Sequence, residues 1–280
     1  MLNIMDTEIE HPDATPWLEL KALLETSSEQ AVCDLFKSIP SGEVARTIDR
    51  LDIDKQNQLL HILGAEAASA VIEDLSLAQA TELVEHLPPS EAADIVEELH
   101  SDMRADILGE MERQSAESIR GEMGPEDAAA ARELLFYEDD VAGGLMRTEQ
   151  LSYRAFDTVQ HVVDDLREHA ATYSDFDVQY AYVVDRMDRL TGVLRMRDLL
   201  LADRSHTMAQ LMIPNPVSVH HQLPLVELRH LFDEKEYIGL PVVDDQQRLL
   251  GVVMRDAVYD ATTEAAEEDF LKASGLSGRE

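Results

Sequence analysis

The sequence predicts an α + α/β protein in which an N-terminal α-solenoid of short helices precedes a duplicated α/β unit. Two observations favour this fold class. Apolar residues recur every twelve positions in the first half, and one strand–helix–hairpin–helix pattern occurs twice in the second half. Near residue 137 short β-branched runs replace the helical pattern, so we expect the boundary between the two structures there.

Each twelve-residue unit carries two adjacent apolar positions and a third one three residues later. The units are Leu35, Phe36, Ile39; Thr47, Ile48, Leu51; Leu59, Leu60, Leu63; Val71, Ile72, Leu75; Leu83, Val84, Leu87; Ile95, Val96, Leu99; Ile107, Leu108, Met111; and a weaker Ile119, Arg120, Met123. Such positions share one stripe of a helix, whereas a strand would split the adjacent pair. Because so short a helix is unstable alone, we expect neighbouring units to stack. The alternative is an irregular helical bundle whose period is partly accidental.

The second half repeats one pattern of elements. Its two copies place strands and helices at 151–153, 159–166, 181–185 and 190–194, and at 217–219, 225–232, 240–244 and 249–253. In each copy a polar hairpin turn joins the last two of these segments. The two turns, at 185–189 and 244–248, have equal length. Gly192 and Gly251 come early in each following strand, where we expect close backbone packing. Two copies of this size are expected to pack around a pseudo-twofold axis.

These patterns predict a domain organisation for the 280 residues. The predicted parts are a flexible leader at 1–20, a helical domain at 21–136, a first α/β copy at 137–204, a second copy at 205–262 and an acidic exit segment at 263–280. A chain of this length accommodates two or three folded units.

Charge and cysteine content exclude several classes of protein. The chain has 23 basic and 57 acidic residues and a net charge of −34, which disfavours nucleic acid and anionic lipid as partners and favours cations. The single cysteine, Cys33, excludes an intramolecular disulfide and a thiolate zinc site, and fits a reducing compartment. The acidic first twenty residues do not resemble a secretory signal, and the apolar runs are too short to span a membrane, so we expect a soluble cytosolic polypeptide.

No catalytic motif is present in the sequence. It lacks a glycine-rich phosphate loop, a nucleophile elbow, a Cys-x-x-Cys pair and a His-Glu-x-x-His pattern. The adjacent His220 and His221 would point to opposite faces of a strand, so we interpret them as surface histidines rather than metal ligands. We assign no catalytic residue and do not expect an enzyme.

The second-half copies resemble a tandem of cystathionine-β-synthase (CBS) domains. The resemblance is carried by the core strands at 182–185 (YVVD) and 241–244 (PVVD), each followed by a Gly-Val strand. Together with the helical repeats and the junction at 137–146 (YEDDVAGGLM), the chain resembles the cytosolic region of MgtE magnesium channels. The segment 266–272 (AEEDFLK) resembles the one that leads to that family's plug helix. The resemblance implies a fragment at the cytoplasmic face of the inner membrane, next to a membrane domain of the same protein; a stand-alone soluble relative is the alternative.

The resemblance also implies a mechanism of regulation. MgtE cytosolic regions form homodimers through their CBS domains, which close when Mg²⁺ is high and inhibit transport. Carboxylates gathered at junctions between domains repel one another until a divalent cation lies between them. Mg²⁺ prefers oxygen ligands and keeps several waters, so one or two carboxylates per site suffice.

We expect the metal ligands among acidic residues at predicted junctions, although most acidic side chains only solubilise the protein. The candidates are Glu91 and Asp94 on one solenoid helix; Asp139, Asp140 and the exposed backbone at Gly143 between the halves; Asp233 and Glu236 at the end of the second CBS helix; and Glu264, Glu267, Glu268 and Asp269 on the exit helix. Ser90 and the segment 223–226 (LPLV) replace acidic residues common in the family. The number of sites, and selectivity against calcium or manganese, therefore stay open.

Two alternatives involve no metal sensing. CBS pairs often bind adenosine phosphates between their copies, by a hydroxyl residue near the end of a strand and an Asp shortly after. The first copy keeps Asp198 for a ribose but has Arg195 and Met196 nearby, while the second copy has Met254 and Ala257, so half of this signature for ATP is absent. The other alternative is a non-catalytic dimeric interaction scaffold.

Overall fold

A computed structural model of the chain describes residues 16–26, 28–170, 172–173, 176 and 179–273. By their contacts these residues divide into two compact units. The first unit contains the chain up to Leu99 together with Ile107–Ala128, and the second contains His100–Asp106 together with the chain from Ala129 onwards. The predicted leader lies mostly outside the described residues, but Pro16 already begins a helix that buries Leu20, earlier than the expected start at position 21.

The described part of the first half is helical throughout. Its helices are α1 (Pro16–Thr26), α2 (Glu29–Ser38), α3 (Ser41–Asp49), α4 (Ile53–Leu63), α5 (Ala65–Glu73), α6 (Leu77–Glu85), α7 (Pro89–Glu98), α8 (Ser101–Glu110), α9 (Arg113–Glu122) and α10 (Pro125–Leu134). From α2 to α10, each helix begins twelve residues after the one before it. In the first unit α5 packs on α7 and α7 on α9, as expected for stacked repeats. The predicted α-solenoid is confirmed.

In most units the third apolar residue lies just after the helix and not on it as predicted, whereas Leu63 is the last residue of α4. Leu83 and Val84 are buried on α6, but Leu87 lies beyond its C-terminal end and its N–H donates to the Val84 carbonyl over 3.2 Å. Leu99 follows α7 in the same way, with its N–H 3.3 Å from the Val96 carbonyl. The repeat therefore buries a pair of residues on the helix and a third in the turn, where an apolar contact commonly stabilises a helix end.

The second unit contains two mixed sheets and their helices. Its further elements are β1 (Met146–Arg147), β2 (Leu151–Arg154), α11 (Val159–Glu168), β3 (Tyr180–Val184), β4 (Leu190–Arg195), α12 (Met196–Leu201), α13 (Met208–Leu211), β5 (Ile213–Pro214), β6 (Val219–His220), α14 (Leu225–Glu234), β7 (Gly239–Val243), β8 (Leu249–Met254) and α15 (Arg255–Ala273). We call β2 to α12 the first repeat and β6 to α15 the second repeat. Both have the predicted order of strand, helix, hairpin and helix, which confirms the duplication.

The two repeats exchange edge strands. The sheet of the first repeat has the order β2-β3-β4-β5, and that of the second repeat has the order β1-β8-β7-β6. Thus β1, which precedes the first repeat, pairs with β8, and β5, which precedes the second repeat, pairs with β4. Each sheet is therefore completed by a segment that lies in sequence before the other repeat.

The hairpin turns of the two repeats also pair with each other. The Leu190 N–H donates to the Gln247 carbonyl over 2.9 Å, and the Leu249 N–H donates to the Asp188 carbonyl over 3.0 Å. Asp188 and Gln247 both have positive φ, of 61° and 64°. The reciprocal bonds and matching backbone conformations support the predicted pseudo-twofold relation.

Gly251 supports the exchanged strand β1, because its missing side chain leaves room for the backbone of β1. A Cβ at this position would lie 2.6 Å from the Arg147 carbonyl oxygen. The expected close approach at this glycine is thereby confirmed.

We predict that Gly251→Ala lowers the free energy of unfolding by about 1–3 kcal/mol, because the added methyl must displace backbone atoms. The matched control is Gly121→Ala in α9, where a Cβ meets nothing within 4 Å. Because Gly121 is the last residue but one of α9, this change should be neutral or stabilise by less than the about 1 kcal/mol gained at an interior helix position. Urea unfolding measures both variants, and equal stability of Gly251→Ala and the unaltered chain would contradict the packing argument.

Candidate functional site

Three carboxylates of the second unit act on the carboxyl group of Asp106 on α8. Asp106 is half-buried, and burial raises its pKa to about 7, with further contributions from the negative charges of Asp102, Asp139 and Glu264. We call these four residues the Asp106 cluster. Every one of these influences raises the pKa of Asp106, so the fully ionised cluster is electrostatically unfavourable.

Apolar packing brings these acidic segments together. Ala105, Leu134, Ala142 and Val258 belong to one buried core in the second unit. Ala105 directly precedes Asp106, Leu134 and Ala142 flank the segment that carries Asp139, and Val258 lies on α15 before Glu264. The free energy of apolar burial therefore holds like charges near each other.

Arg147 partly compensates the cluster. Its Nε lies 2.8 Å from Asp102 Oδ2, and the two side chains are 24% and 10% exposed. Beside this pair, Glu149 accepts hydrogen bonds from the Ser101 N–H over 3.1 Å and from the Ser101 hydroxyl over 2.7 Å. The start of α8 is thus tied by charged hydrogen bonds to the segment around β1.

The sequence analysis identified Asp139 and Glu264 as candidates but missed Asp102 and Asp106. The twelve-residue repeat contained a signal, because Asp106 occupies the same repeat position as Asp94. The repeat pattern alone does not distinguish a buried position of this kind from an exposed one. Asp94 is exposed on α7, whereas Asp106 is half-buried.

The junction residues lie in the loop after α10. Asp139 and Asp140 are exposed, and the Asp140 carbonyl accepts a hydrogen bond from the Leu225 N–H over 2.7 Å. Gly143 is buried, and its N–H donates to the His221 carbonyl over 2.8 Å. The expectation of an exposed backbone at Gly143 is wrong because the Tyr137 ring packs where a Cβ would be, with Cδ1 at 2.5 Å.

The two candidates near the end of α14 have different surroundings. Asp233 accepts a hydrogen bond from the Tyr259 hydroxyl over 2.6 Å and pairs with Arg229 at 3.2 Å. These contacts, the Tyr259 bond foremost, lower the pKa of Asp233. Because α14 ends at Glu234, Glu236 lies exposed in the following loop and does not end the helix as predicted.

The remaining candidates lie on two helices. Glu91 Oε1 is 3.1 Å from His61 Nδ1 in the first unit, next to the exposed Asp94 on the same helix. Glu264 is exposed on α15. The side chains of Glu267, Glu268 and Asp269 lie outside the described residues, although their backbone belongs to α15.

The described residues contain no group of three or more His, Cys, Asp or Glu side chains placed to hold a metal ion directly. Mg²⁺ usually keeps several of its waters and takes one or two carboxylates from a protein. A cation at the Asp106 cluster would therefore keep several of its waters.

A cleft lies between the two repeats. Its lining includes Arg147, Gln150, Phe176, Tyr180, Ile238 and Met254. Gln150 Oε1 is buried and has no hydrogen-bond partner among the described residues. Asp198, the predicted ribose ligand, is not among the lining residues and lies 3.6 Å from Arg197 Nε on α12.

Comparison with known proteins decides the family. Residues 18–89 and 39–140 match the MgtE intracellular N domain, and residues 208–264 match the CBS domain. The crystal structure of the cytosolic domain of the Mg²⁺ channel MgtE in complex with ATP is 31% identical, with a TM-score of 0.79 over 88% of this chain and 99% of that chain. The chain belongs to the MgtE family.

Other MgtE proteins are also similar to the chain. The magnesium transporter MgtE of Thermus thermophilus is 39% identical over 140 residues, which are 50% of this chain and 31% of that protein. The soluble part of a magnesium transporter is 25% identical, with a TM-score of 0.80 over 90% of this chain and 98% of that structure. The chain spans about a third of the length of the curated MgtE transporters it matches.

These findings confirm the resemblance to MgtE and to CBS domains. Among the described residues, no helix combines the length and the apolar character that crossing a membrane requires. The exact domain boundaries and the metal ligands stay predictions.

The raised pKa of Asp106 predicts a pH dependence of stability. The folded value of about 7 exceeds the ordinary value of 3.8, so between these pH values the folded state binds the proton more tightly than the unfolded state. The free energy of unfolding should therefore fall as pH rises through this window, by at most about 1.4 kcal/mol per pH unit. Asp106→Asn should remove this contribution and be more stable than the unaltered chain above the window. Urea unfolding across pH measures the difference.

The control is Asp140→Asn, which removes an exposed carboxylate from the same loop as Asp139. It should keep the pH profile of the unaltered chain, because Asp140 is not among the charges that raise the pKa of Asp106. Parallel profiles for Asp106→Asn and the unaltered chain would contradict the assignment.

Proposed function

We propose that this chain is the Mg²⁺-sensing regulatory region of an MgtE-type magnesium transporter, and that it has no catalytic role. In this proposal divalent cations bind acidic surfaces, close a homodimer and inhibit transport through a membrane domain of the same protein at the cytoplasmic face of the inner membrane. The observation that carries the proposal is the Asp106 cluster, in which packing holds four carboxylates near each other. Membership of the family, whose relatives are named magnesium transporters, supports it.

The Asp106 cluster favours a cation for an electrostatic reason. Without a cation, the carboxylates repel and Asp106 retains a proton near neutral pH, as its pKa of about 7 indicates. A divalent cation favours the ionised form, so its binding is linked to release of the proton. Mg²⁺ fits the cluster because water molecules complete its octahedral shell.

The homodimer closes if several weakly bound ions each favour the closed conformation. A ligand shifts a two-state equilibrium only by its difference in affinity for the two states, so several sites add small contributions. The candidates on α7 and α15 supply the further acidic surfaces. The response is negative feedback, since high Mg²⁺ closes the region that inhibits transport.

A homodimer fits the exposed apolar side chains of the first repeat. Leu200 and Leu201 on α12 are 76% and 80% exposed. Adjacent exposed leucines are typical of an interaction surface. We propose a second copy of this chain as the partner at α12.

Our prediction for Mg²⁺ concerns the radius of gyration. Millimolar Mg²⁺ should reduce it, because cations at the carboxylate clusters favour the closed conformation. The triple variant Asp102→Asn, Asp106→Asn, Asp139→Asn should weaken this response. Small-angle X-ray scattering across a Mg²⁺ titration measures it, and the forward scattering reports whether the particle is a dimer.

The matched control neutralises three exposed acidic residues of the second unit, by Glu168→Gln, Asp203→Asn and Glu234→Gln. It loses the same charge and should keep the full response. Identical scattering curves in chelator and in excess Mg²⁺ for the unaltered chain would overturn the sensor proposal.

A second candidate function is sensing of an adenine nucleotide. The cleft between the repeats combines aromatic side chains, Arg147 and an unpartnered amide oxygen on Gln150, a combination suited to a flat base with hydrogen-bond donors. A solved MgtE cytosolic domain that is similar to the chain was crystallised with ATP. The two functions are compatible, since a nucleotide and Mg²⁺ would occupy different places.

For this candidate we predict that ATP gives saturable heat in metal-free buffer and that Tyr180→Ala weakens binding about tenfold, because the ring lines the cleft. Isothermal titration calorimetry measures both. Phe156→Ala, an exposed aromatic residue of the same repeat, is the control and should not change binding. No saturable heat with the unaltered chain would exclude the nucleotide function and leave the Mg²⁺ proposal intact.

A further inference from the structure

The first two turns of α15 are attached to α14 by side-chain contacts that centre on Tyr259. The Tyr259 hydroxyl donates to Asp233 Oδ1 over 2.6 Å, and Arg229 Nε lies 3.2 Å from both oxygens of Asp233. The Arg229 guanidinium carbon also lies 3.9 Å from the centre of the Tyr259 ring. One aromatic residue of α15 thus contacts an acidic and a basic residue of α14.

Arg255 at the start of α15 makes a second attachment. Its Nε donates to the Tyr237 carbonyl and a terminal nitrogen donates to the Lys235 carbonyl, each over 2.6 Å. Its guanidinium carbon lies 5.3 Å from the centre of the Phe232 ring. Arg255 therefore joins α15 to the loop between α14 and β7. We call Arg229, Asp233, Arg255 and Tyr259 the Tyr259 clamp.

In the first repeat, the described residues at the positions of the clamp have different side chains. The helices after the hairpins begin at Met196 and Arg255, so Met196 stands at the position of Arg255 and Leu200 at the position of Tyr259. Counted from the helix N-caps Thr158 and Pro224, Val163 and Arg167 stand where Arg229 and Asp233 stand. Leu200 is 76% exposed and thus does not anchor its helix.

The clamp occurs in the repeat whose last helix is long. α12 has 6 residues, whereas α15 has 19. In a helix of this length, contacts in the first turns constrain the direction of the whole helix. The duplicated repeats share their hairpins and differ at the place where the chain leaves the second repeat.

We infer that the Tyr259 clamp is a conformational device that makes α15 move with the second repeat as one body. The inference rests on the proposed function, in which α15 carries the response to Mg²⁺ onwards. It assigns Asp233 a positioning role instead of the predicted metal role. Both oxygens of Asp233 already accept from Arg229, so a cation would have to displace this contact.

Hydrogen exchange of the α15 backbone tests the clamp. In chelator, Tyr259→Phe and Asp233→Asn should each accelerate exchange of the α15 amides about tenfold, because each removes a hydrogen bond to a charged acceptor. Tyr259→Phe keeps the ring and thus the packing. The double variant should be no faster than Asp233→Asn alone, because Asp233→Asn already weakens the Tyr259 bond as well as the pair with Arg229.

A distance measurement tests whether α15 moves with the repeat. Spin labels at Gln246→Cys and Ala265→Cys, both exposed, report the distance from the second hairpin to α15 in a Cys33→Ser background. The unaltered clamp should give one narrow distribution, and either clamp variant should broaden it. Glu236→Gln, which loses the same charge from the adjacent loop, is the control and should change neither readout.

Unchanged exchange and an unchanged distribution in both clamp variants would overturn the inference, as would equal effects of the control. These measurements need no Mg²⁺, so they separate the clamp from the proposed function. If the unaltered chain gave a narrow distance distribution but did not become more compact with Mg²⁺, only the sensor proposal would be contradicted. A broadened distance distribution in the clamp variants, together with normal Mg²⁺-induced compaction of the unaltered chain, supports both proposals.

Discussion

Burial of apolar residues beside carboxylates is the constraint on which the second unit depends. Ala105 and Val258 are buried in one core, and Asp106 and Glu264 follow them on their helices. Moving the acids apart would expose apolar surface, and keeping them together leaves a repulsion that only a proton or a cation relieves. Separations within a Debye length of about 8 Å are only partly screened by salt. In the folded unit the packing of the apolar residues therefore outweighs the repulsion between the carboxylates.

The CBS pair combines symmetry at one place with asymmetry at another. The hairpin turns pair reciprocally, with Asp188 and Gln247 in the same left-handed conformation. The last helices diverge, since Tyr259 anchors α15 while its counterpart Leu200 is exposed. Duplication thus supplies a rigid scaffold, and divergence at the ends of the helices supplies a distinct surface on α12 and a distinct exit on α15.

In the solenoid, regular apolar burial leaves the polar positions free to differ between repeats. Asp94 and Asp106 occupy the same repeat position, yet one is exposed and the other is half-buried. Local pattern is identical for both, because each precedes an apolar pair on its helix. The difference arises from what packs against each helix, so similar acidic residues acquire different electrostatic properties.

The sequence by itself determined the twelve-residue repeat, the duplicated α/β unit, the two equal hairpin turns and the need for Gly251, because helix period, strand pattern and turn chemistry act over a few neighbouring residues. It also indicated Asp139 and Glu264, which belong to the Asp106 cluster. Only the tertiary structure decided that Asp102 and Asp106 join them, that Tyr137 buries Gly143 and that Tyr259 engages Asp233. These contacts join residues far apart in the chain, and burial and charge at such contacts depend on packing that no local pattern contains.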